Sequence, residues 1–479
     1  MKNILSSYNL KTITLVTLAI FPFISGCKKF VEVPEPTTSI NSENVFMNDV
    51  TATAALTSLY SKMSSPGIRA AETLTSISFY TGLSSDELTL YSAITDVDQI
   101  AYYKNNLKNT SNPNFWVSTY PTIYAINSAI EGLQKSTHLT PAVRRQLLGE
   151  AKFMRAFNYF YLANLYGNVA LALTTDFTIN ERLARSPQSK VYEQIISDLK
   201  DACDLLSSDY LNGDALTKTD ERLRPTKWAA IALLARAYLY TSDFVNAENT
   251  ASQVINNKIL YDTVPLNEVF LKNSKEAIWQ LQPVNKGWNT EDARTYTIPE
   301  TGPTNEWPVY LSNNLTKAFE PGDKRKNNWV NTRVINGIGY DYSYKYKSAT
   351  FNEPVTEYST VLRLGELFLV RSEARIELGK TTDALSDLNI IRNRAGLPDY
   401  SGPLDRSSLV NAIVHERQVE LFTEWGHRWF DLKRTGKVNN IMQYVTAQKG
   451  GTWEIHWQWY PLSLTDLQNG PNLVQNEDY

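Results

Sequence analysis

Apolar residues recur at helical spacing along most of this chain, and four stretches predict long helices. Asn114–Lys135 and Pro141–Tyr166 form a predicted helical hairpin, with Pro141 suited to a first helical turn. Gln188–Leu206 and Pro225–Thr241 are predicted as further helices. A short repeat accompanies them. Ala237, Ala247, Ala251 and Val254 in one copy match Ala374, Ala384, Leu388 and Ile391 in another, with the turns Thr241-Ser242-Asp243 and Leu378-Gly379-Lys380 between the alanines. Small residues there let two antiparallel helices approach closely, which is the content of a tetratricopeptide unit. The copies lie far apart in sequence, so long insertions must separate the helical units. The predicted fold is mainly α: tetratricopeptide-like hairpins as scaffold, long irregular loop insertions and a few short strands. The insertions of interest are 76–108 and 283–314, the second carrying Pro283, Pro299, Pro303 and Pro308, which exclude a single helix or a central strand. Near the end, Trp453, Ile455, Trp457 and Trp459 alternate with polar residues, a period that predicts a half-buried strand.

The first apolar stretch has another meaning. Met1–Lys11 carries Lys2 and Lys11 and no acid, Ile13–Ile24 is apolar, and Ser25-Gly26-Cys27 follows. A basic start, a core too short to span a bilayer and a small-residue exit describe an export signal. Ile24-Ser25-Gly26-Cys27 has the form of a bacterial lipobox, in which Cys27 is acylated and becomes the new N-terminus. The chain then divides into a signal peptide, 1–26, a lipidated start and leash, 27–40, and a helical domain, 41–479. Residues 28–40 hold two prolines and no periodicity, as a leash between lipid and fold would.

Composition narrows the chemistry. A net charge of −3 and no basic run give no nucleic-acid footprint. With Cys27 acylated, Cys203 has no disulfide partner within the chain and reads as a small core residue. The four histidines include no close ligand pair, and His427, among aromatics and charges, is expected to be a packed, hydrogen-bonded residue. No GxSxG elbow or phosphate-cradling glycine loop is present. Asp86-Glu87 and Glu291-Asp292 are acidic pairs in the insertions, each able to supply at most one partner of a glycosidase carboxylate pair. Arg371, Glu373, Arg375 and Glu377 alternate in sign and are expected to form a solvated or inter-helix salt-bridged face, with Leu367, Val370, Ala374 and Leu378 as the apolar stripe.

Several strings, in order, resemble one family. Cys27-Lys28-Lys29-Phe30 through Pro34 is similar to a lipidated start. Gly149–Leu171 (GEAKFMRAFNYFYLANLYGNVAL) is similar to a Glu-Ala-x-x-x-Arg-Ala helix, with Ala170 where the pattern has proline. Ala318–Arg325 (AFEPGDKR), Arg363–Ala374 (RLGELFLVRSEA), Ile413–Gly436 (IVHERQVELFTEWGHRWFDLKRTG) and Pro461–Tyr479 complete the set. Together they resemble the SusD/RagB-like nutrient-binding lipoproteins of the Bacteroidetes outer membrane. The resemblance implies a helical, tetratricopeptide-like fold, no catalysis and no cofactor. It also implies a surface lipoprotein that captures nutrient, most often glycan, and passes it to a TonB-dependent outer-membrane transporter.

The insertions fit that role by their own chemistry. Flat rings match the apolar C–H faces of a pyranose, and amide or carboxylate groups bond its hydroxyl rim. Eleven Trp and 27 Tyr exceed what a core of this size requires. The candidates are Tyr80, Tyr91, Tyr102 and Tyr103 in the first insertion and Trp288, Tyr296 and Trp307 in the second, with Asp86, Asn289 and Asn305 for hydroxyls. They rest on loop composition and are not carried over from the family. Peptide capture, a glycoside hydrolase and a pure interaction scaffold are the other classes. The aromatic density favours sugar over peptide.

Overall fold

The computed structural model describes residues 45–64 and 76–479, and the predicted signal peptide, Cys27 and the leash lie outside them. The helical hairpin forms as Phe115–Lys135 and Pro141–Tyr166. Asn114 opens the first helix by accepting from the amides of Trp116 and Val117, and Pro141 sits in the first turn of the second. Gln188–Leu205 and Lys227–Tyr240 follow within a residue or two of expectation.

The repeat is a pair of helical hairpins, Lys227–Tyr240 with Phe244–Ile255 and Leu364–Glu377 with Thr381–Arg394. Its alanines and their aliphatic partners are all buried. Ser242 and Gly379 supply the left-handed turn residues, with φ of 59° and 74°. Phe244–Ile255 packs directly against Leu364–Glu377, so the two copies are neighbours in space despite their separation in sequence. The intervening residues are an excursion from a continuous helical stack. The alternating charges of Leu364–Glu377 cement it: Arg371 and Arg375 pair with Asp387 at 2.6 and 2.8 Å, and Arg375 reaches Glu248 at 3.1 Å. The inter-helix alternative is the one observed.

Among the described residues, eight short strands pair only in twos: β1 (Leu88–Leu90), β2 (Val169–Ala170), β3 (Arg185–Ser186), β4 (Ala277–Leu281), β5 (Val309–Leu311), β6 (Val330–Ile335), β7 (Ile338–Ser343) and β8 (Ser359–Arg363). β1 joins β5, β2 joins β3, β4 joins β8 and β6 joins β7, all antiparallel.

Three expectations change. The insertion 76–108 is not irregular: it holds helices Ile77–Ser84 and Val97–Tyr103 around β1, and 283–314 holds helix Glu291–Tyr296 and β5. The tryptophan stretch is no strand; Ile455–Gln458 makes a 3₁₀ turn in which Ile455 is exposed and Trp453, Trp457 and Trp459 are half-buried. A period of two over seven residues has no meaning without a strand to pair with. Cys203 is partly buried against the core, and burial pushes its thiol up to about 12.

Four of the family-like strings, Gly149–Leu171, Ala318–Arg325, Arg363–Ala374 and Ile413–Gly436, contribute buried ion pairs. In Gly149–Leu171, Glu150 takes Arg224 at 2.7 Å and Arg155 takes Asp198 at 2.7 Å. In Ile413–Gly436, Glu416 and Glu420 meet the fully buried Arg325 at 2.6 and 2.9 Å, and Glu420 and Glu424 meet Arg363 at 2.6 and 2.7 Å. Burial alone would raise the Glu420 carboxyl, but Arg394, Arg363 and Arg325 hold it far below the ordinary range. His427 is packed as expected, and burial with nearby arginines keeps its ring neutral.

Candidate functional site

The two insertions meet because β1 and β5 pair. Leu88 and Leu90 face inward opposite Leu311 and Val309, which leaves Thr89 and Tyr310 side by side on the outer face. The pairing extends at both ends, with the Tyr91 amide donating to the Pro308 carbonyl at 2.7 Å and the Ser312 amide to that of Glu87 at 2.8 Å. The β6–β7 hairpin packs beside β5 and adds Tyr340. Tyr340 then sits edge-on to two rings, 5.2 Å from Tyr310 and 6.1 Å from Tyr91, with interplanar angles of 81° and 82°. Tyr103 lies beside Tyr310, its hydroxyl bonded to Thr89, and burial raises its phenol. All four rings are half-buried, held on one side and open on the other.

The floor under this tyrosine face is the string Ile413–Gly436. Arg428 binds Asp86 through two hydrogen bonds of 2.7 Å, and the Trp425 amide donates to Ser78 Oγ at 2.7 Å. Burial pushes Asp86 up, yet the Arg428 guanidinium more than offsets it, and the carboxyl ends below its ordinary value. Glu87 accepts from the Thr423 amide at 3.3 Å, and burial together with the Asp86 charge raises it to about 8. The hairpin is anchored on the same string: Ser343 and Thr423 share a hydroxyl hydrogen bond of 2.9 Å, and Lys345 donates to the carbonyls of Glu420 and Phe422 at 2.8 Å each. Lys449 closes the edge. Its ammonium donates to the Leu83 and Ser85 carbonyls at the end of helix Ile77–Ser84 and lies 4.9 Å from the Tyr103 ring centre.

A second aromatic group sits on the other part of the insertion. Trp288 is half-buried between Phe351, 5.2 Å away and 54% exposed, and the Arg294 guanidinium at 4.4 Å. Trp307 donates its indole N–H to the Arg294 carbonyl at 2.9 Å, just before Pro308 leads into β5.

Of the predicted residues, then, Tyr91, Tyr103, Trp288, Trp307 and Asn305 reach the surface. The others do not. Tyr80 is buried at 4.7 Å from Tyr102, which itself is buried and donates to the Pro113 carbonyl. Tyr296 is buried near Asp292 and Glu87, where its phenol is raised. Asp86 is committed to Arg428. Asn289, 1% exposed, is consumed as a loop clamp: its oxygen accepts from the amides of Thr356 and Glu357, and its nitrogen donates to Ser348 and Pro354. Loop composition identifies aromatic content but cannot say which rings turn inward to hold the loop. Tyr310 and Tyr340 were missed. Their signals were present: Val309-Tyr310-Leu311 alternates, and Asn336-Gly337 between two apolar-polar runs marks a hairpin whose second strand leads into tyrosines at 340, 342, 344 and 346.

The acidic pairs serve the fold. Asp86 has Arg428, Glu291 has Arg294 at 2.6 Å and Asn285 at 2.7 Å, and Glu87 and Asp292 are buried. Burial raises the Asp292 carboxyl to about 7, with Ser359 Oγ donating to it at 2.9 Å. Among the described residues no three His, Cys, Asp or Glu side chains converge as metal ligands, and no helix is long and apolar enough to cross a membrane.

Known proteins give this architecture a context. Residues 30–239 match a SusD-like family described as starch-binding and associating with the outer membrane, and residues 232–479 match the SusD family itself. A SusD-like protein, P38, of Formosa agariphila is 24% identical over 98% of this chain and 99% of its own. A SusD superfamily protein from Bacteroides vulgatus superposes with a TM-score of 0.76 at 22% identity, covering 90% of this chain and 99% of the other. A laminarin-binding SusD-like protein superposes with a TM-score of 0.72 at 23% identity, over 90% of this chain and all of the other. The helical stack, the buried ion pairs of its sequence strings and the match across more than half its length place this chain in the SusD family.

Proposed function

We propose that this chain is a cell-surface lipoprotein that captures glycan on the tyrosine face and passes it to a partner TonB-dependent outer-membrane transporter. The observation that carries the reading is the convergence of Tyr91, Tyr310 and Tyr340 from three chain segments onto one open surface. Rings fixed from below cost little ordering entropy when a sugar lands on them, and each offers a flat apolar face with a hydroxyl at its rim. Thr89, paired across from Tyr310, supplies a further hydroxyl. Trp288 with Phe351 offers a separate aromatic contact on the same insertion. The laminarin-binding relative supports glycan as the ligand class, and the family's description as starch-binding points the same way.

Anchoring at Cys27 completes the proposal: two or three acyl chains, at roughly 0.8 kcal/mol per buried CH₂, hold a domain on a membrane almost permanently. Cys27→Ser is expected to move the protein from the membrane to the soluble fraction of the cell. Affinity electrophoresis of the full chain in detergent, through gels containing laminarin, starch, xylan or mannan, tests capture. Retardation by one glycan class, abolished in a Tyr310→Ala, Tyr340→Ala variant of unchanged circular dichroism, is expected. Retardation that the variant retains would remove the tyrosine face from the site.

A further inference from the structure

The hairpin that carries Tyr340 brings a cation with it. In the β6–β7 register Arg333 lies directly opposite Tyr340. Directly opposed residues of an antiparallel pair put their side chains on one face, with Cβ atoms about 4.5–5.5 Å apart. Arg333 therefore shares the hairpin face that turns Tyr340 toward Tyr310 and Tyr91. Its half-buried side chain is pinned at one point, where Nε donates to the Ile298 carbonyl at 3.3 Å. Ile298 follows helix Glu291–Tyr296, so that bond holds the guanidinium where the hairpin meets the second insertion.

The rest of the guanidinium is uncommitted. Among the described residues Arg333 has no carboxylate partner, and its Nη1 and Nη2 make no hydrogen bond and are open to solvent. The other cations described around the site are spent. Arg428 is held by Asp86, Arg294 by Glu291 and Lys345 by Glu424, while Lys449 caps helix Ile77–Ser84. Arg185 and Arg222 also lack a carboxylate, but both bond backbone carbonyls through their two terminal nitrogens. With Nε held, the Nη1–Nη2 edge of Arg333 presents two parallel N–H groups, the geometry that receives an oxyanion through paired bonds. The net charge of −3 repels a polyanion at a distance, so attraction has to come from a local contact of this kind. We propose that Arg333 gives the tyrosine face a preference for anionic glycan, receiving the carboxylate of a uronic acid or the sulfate ester of a sulfated sugar whose ring rests on Tyr340. The proposal rests on the glycan reading above and names the charge class of its ligand.

The test is a calorimetric titration of the full chain, in neutral detergent, with polygalacturonate, alginate and carrageenan. Each is run beside an uncharged counterpart: methyl-esterified polygalacturonate, propylene glycol alginate and agarose. Polyglutamate serves as a polyanion without sugar. At least one charged polymer is expected to bind about tenfold more tightly than its counterpart, with the difference shrinking at high salt. A preference in the first two pairs assigns a uronate, and one in the third assigns a sulfate ester. Arg333→Gln is expected to remove the preference at an unchanged urea midpoint and to leave the uncharged counterpart as it was. Arg333→Lys keeps the charge without the fork and is expected to fall between. Equal affinity within all three pairs overturns the inference, as does a preference that Arg333→Gln retains. Arg333→Gln weakening both members of a pair alike marks a structural role and overturns it too. So does polyglutamate binding as tightly as the charged glycan, or no binding of any polymer. Where uncharged polymers bind and only Tyr310→Ala, Tyr340→Ala loses them, the inference fails and the proposed function stands.

Discussion

At the residue scale, burial separates the groups that build the site from those that present it. Asp86 shows the difference: it has the right chemistry for a sugar hydroxyl, but Arg428 occupies both its oxygens. Arg428→Met would leave a buried carboxylate unpaired and is expected to cost about 3–5 kcal/mol in urea unfolding. Asp86→Leu combined with Arg428→Met is expected to recover most of it, because the uncompensated charge is gone. Glu87 gives a pH signature. The folded chain holds its proton up to about 8, against an ordinary 4.5, so between those values the native state binds more protons and stability falls as pH rises. Asp292, raised to about 7, adds a slope of the same sign. Glu87→Gln, neutral at every pH, is expected to flatten part of that slope, gaining on the parent by up to about 1.4 kcal/mol per pH unit through that window. Urea midpoints measured across the window check it; parallel slopes in the two proteins would contradict it.

At the element scale, the helices were legible because their apolar period and caps act locally. Pro141 and Asn114 mark helix starts in the sequence and in the structure. The close approach of helices in the repeat was legible from alanine spacing alone. Ala374→Leu, at a fully buried contact, is expected to destabilise by about 1–3 kcal/mol through overpacking, seen as a lower urea midpoint. The site was less legible, since its strands are three to six residues long and pair across hundreds of positions. Nothing local says that Thr89 will lie beside Tyr310. The hairpin is the exception, with its Asn336-Gly337 turn at φ of 50° and 81°. Gly337→Val forces a β-branched residue into the left-handed region at an expected cost of about 1–2 kcal/mol. Because Tyr340 rides on this hairpin, the same variant is expected to weaken glycan retention while the helical circular dichroism stays unchanged.

At the scale of the whole molecule, the helical stack and the tyrosine face are coupled through one buried layer. Glu416, Glu420 and Glu424 neutralise arginines from three parts of the chain, Arg325, Arg363 and the Arg392–Arg394 turn, and the segment they belong to also carries Thr423, Trp425 and Arg428. The family-like string Ile413–Gly436 is therefore the floor of the proposed site and not its ligand surface. Under the proposed function, ligand choice would rest on the tyrosine rings above it, which the family's pattern does not specify. The most direct test of this division is a calorimetric titration of the full chain, in detergent, with the glycan that retards it in electrophoresis, beside Tyr310→Ala, Tyr340→Ala. The account predicts an affinity at least about tenfold weaker in the variant, equivalent to 1.4 kcal/mol, with the urea midpoint of the helical core unchanged. Equal affinities in the two proteins would contradict it.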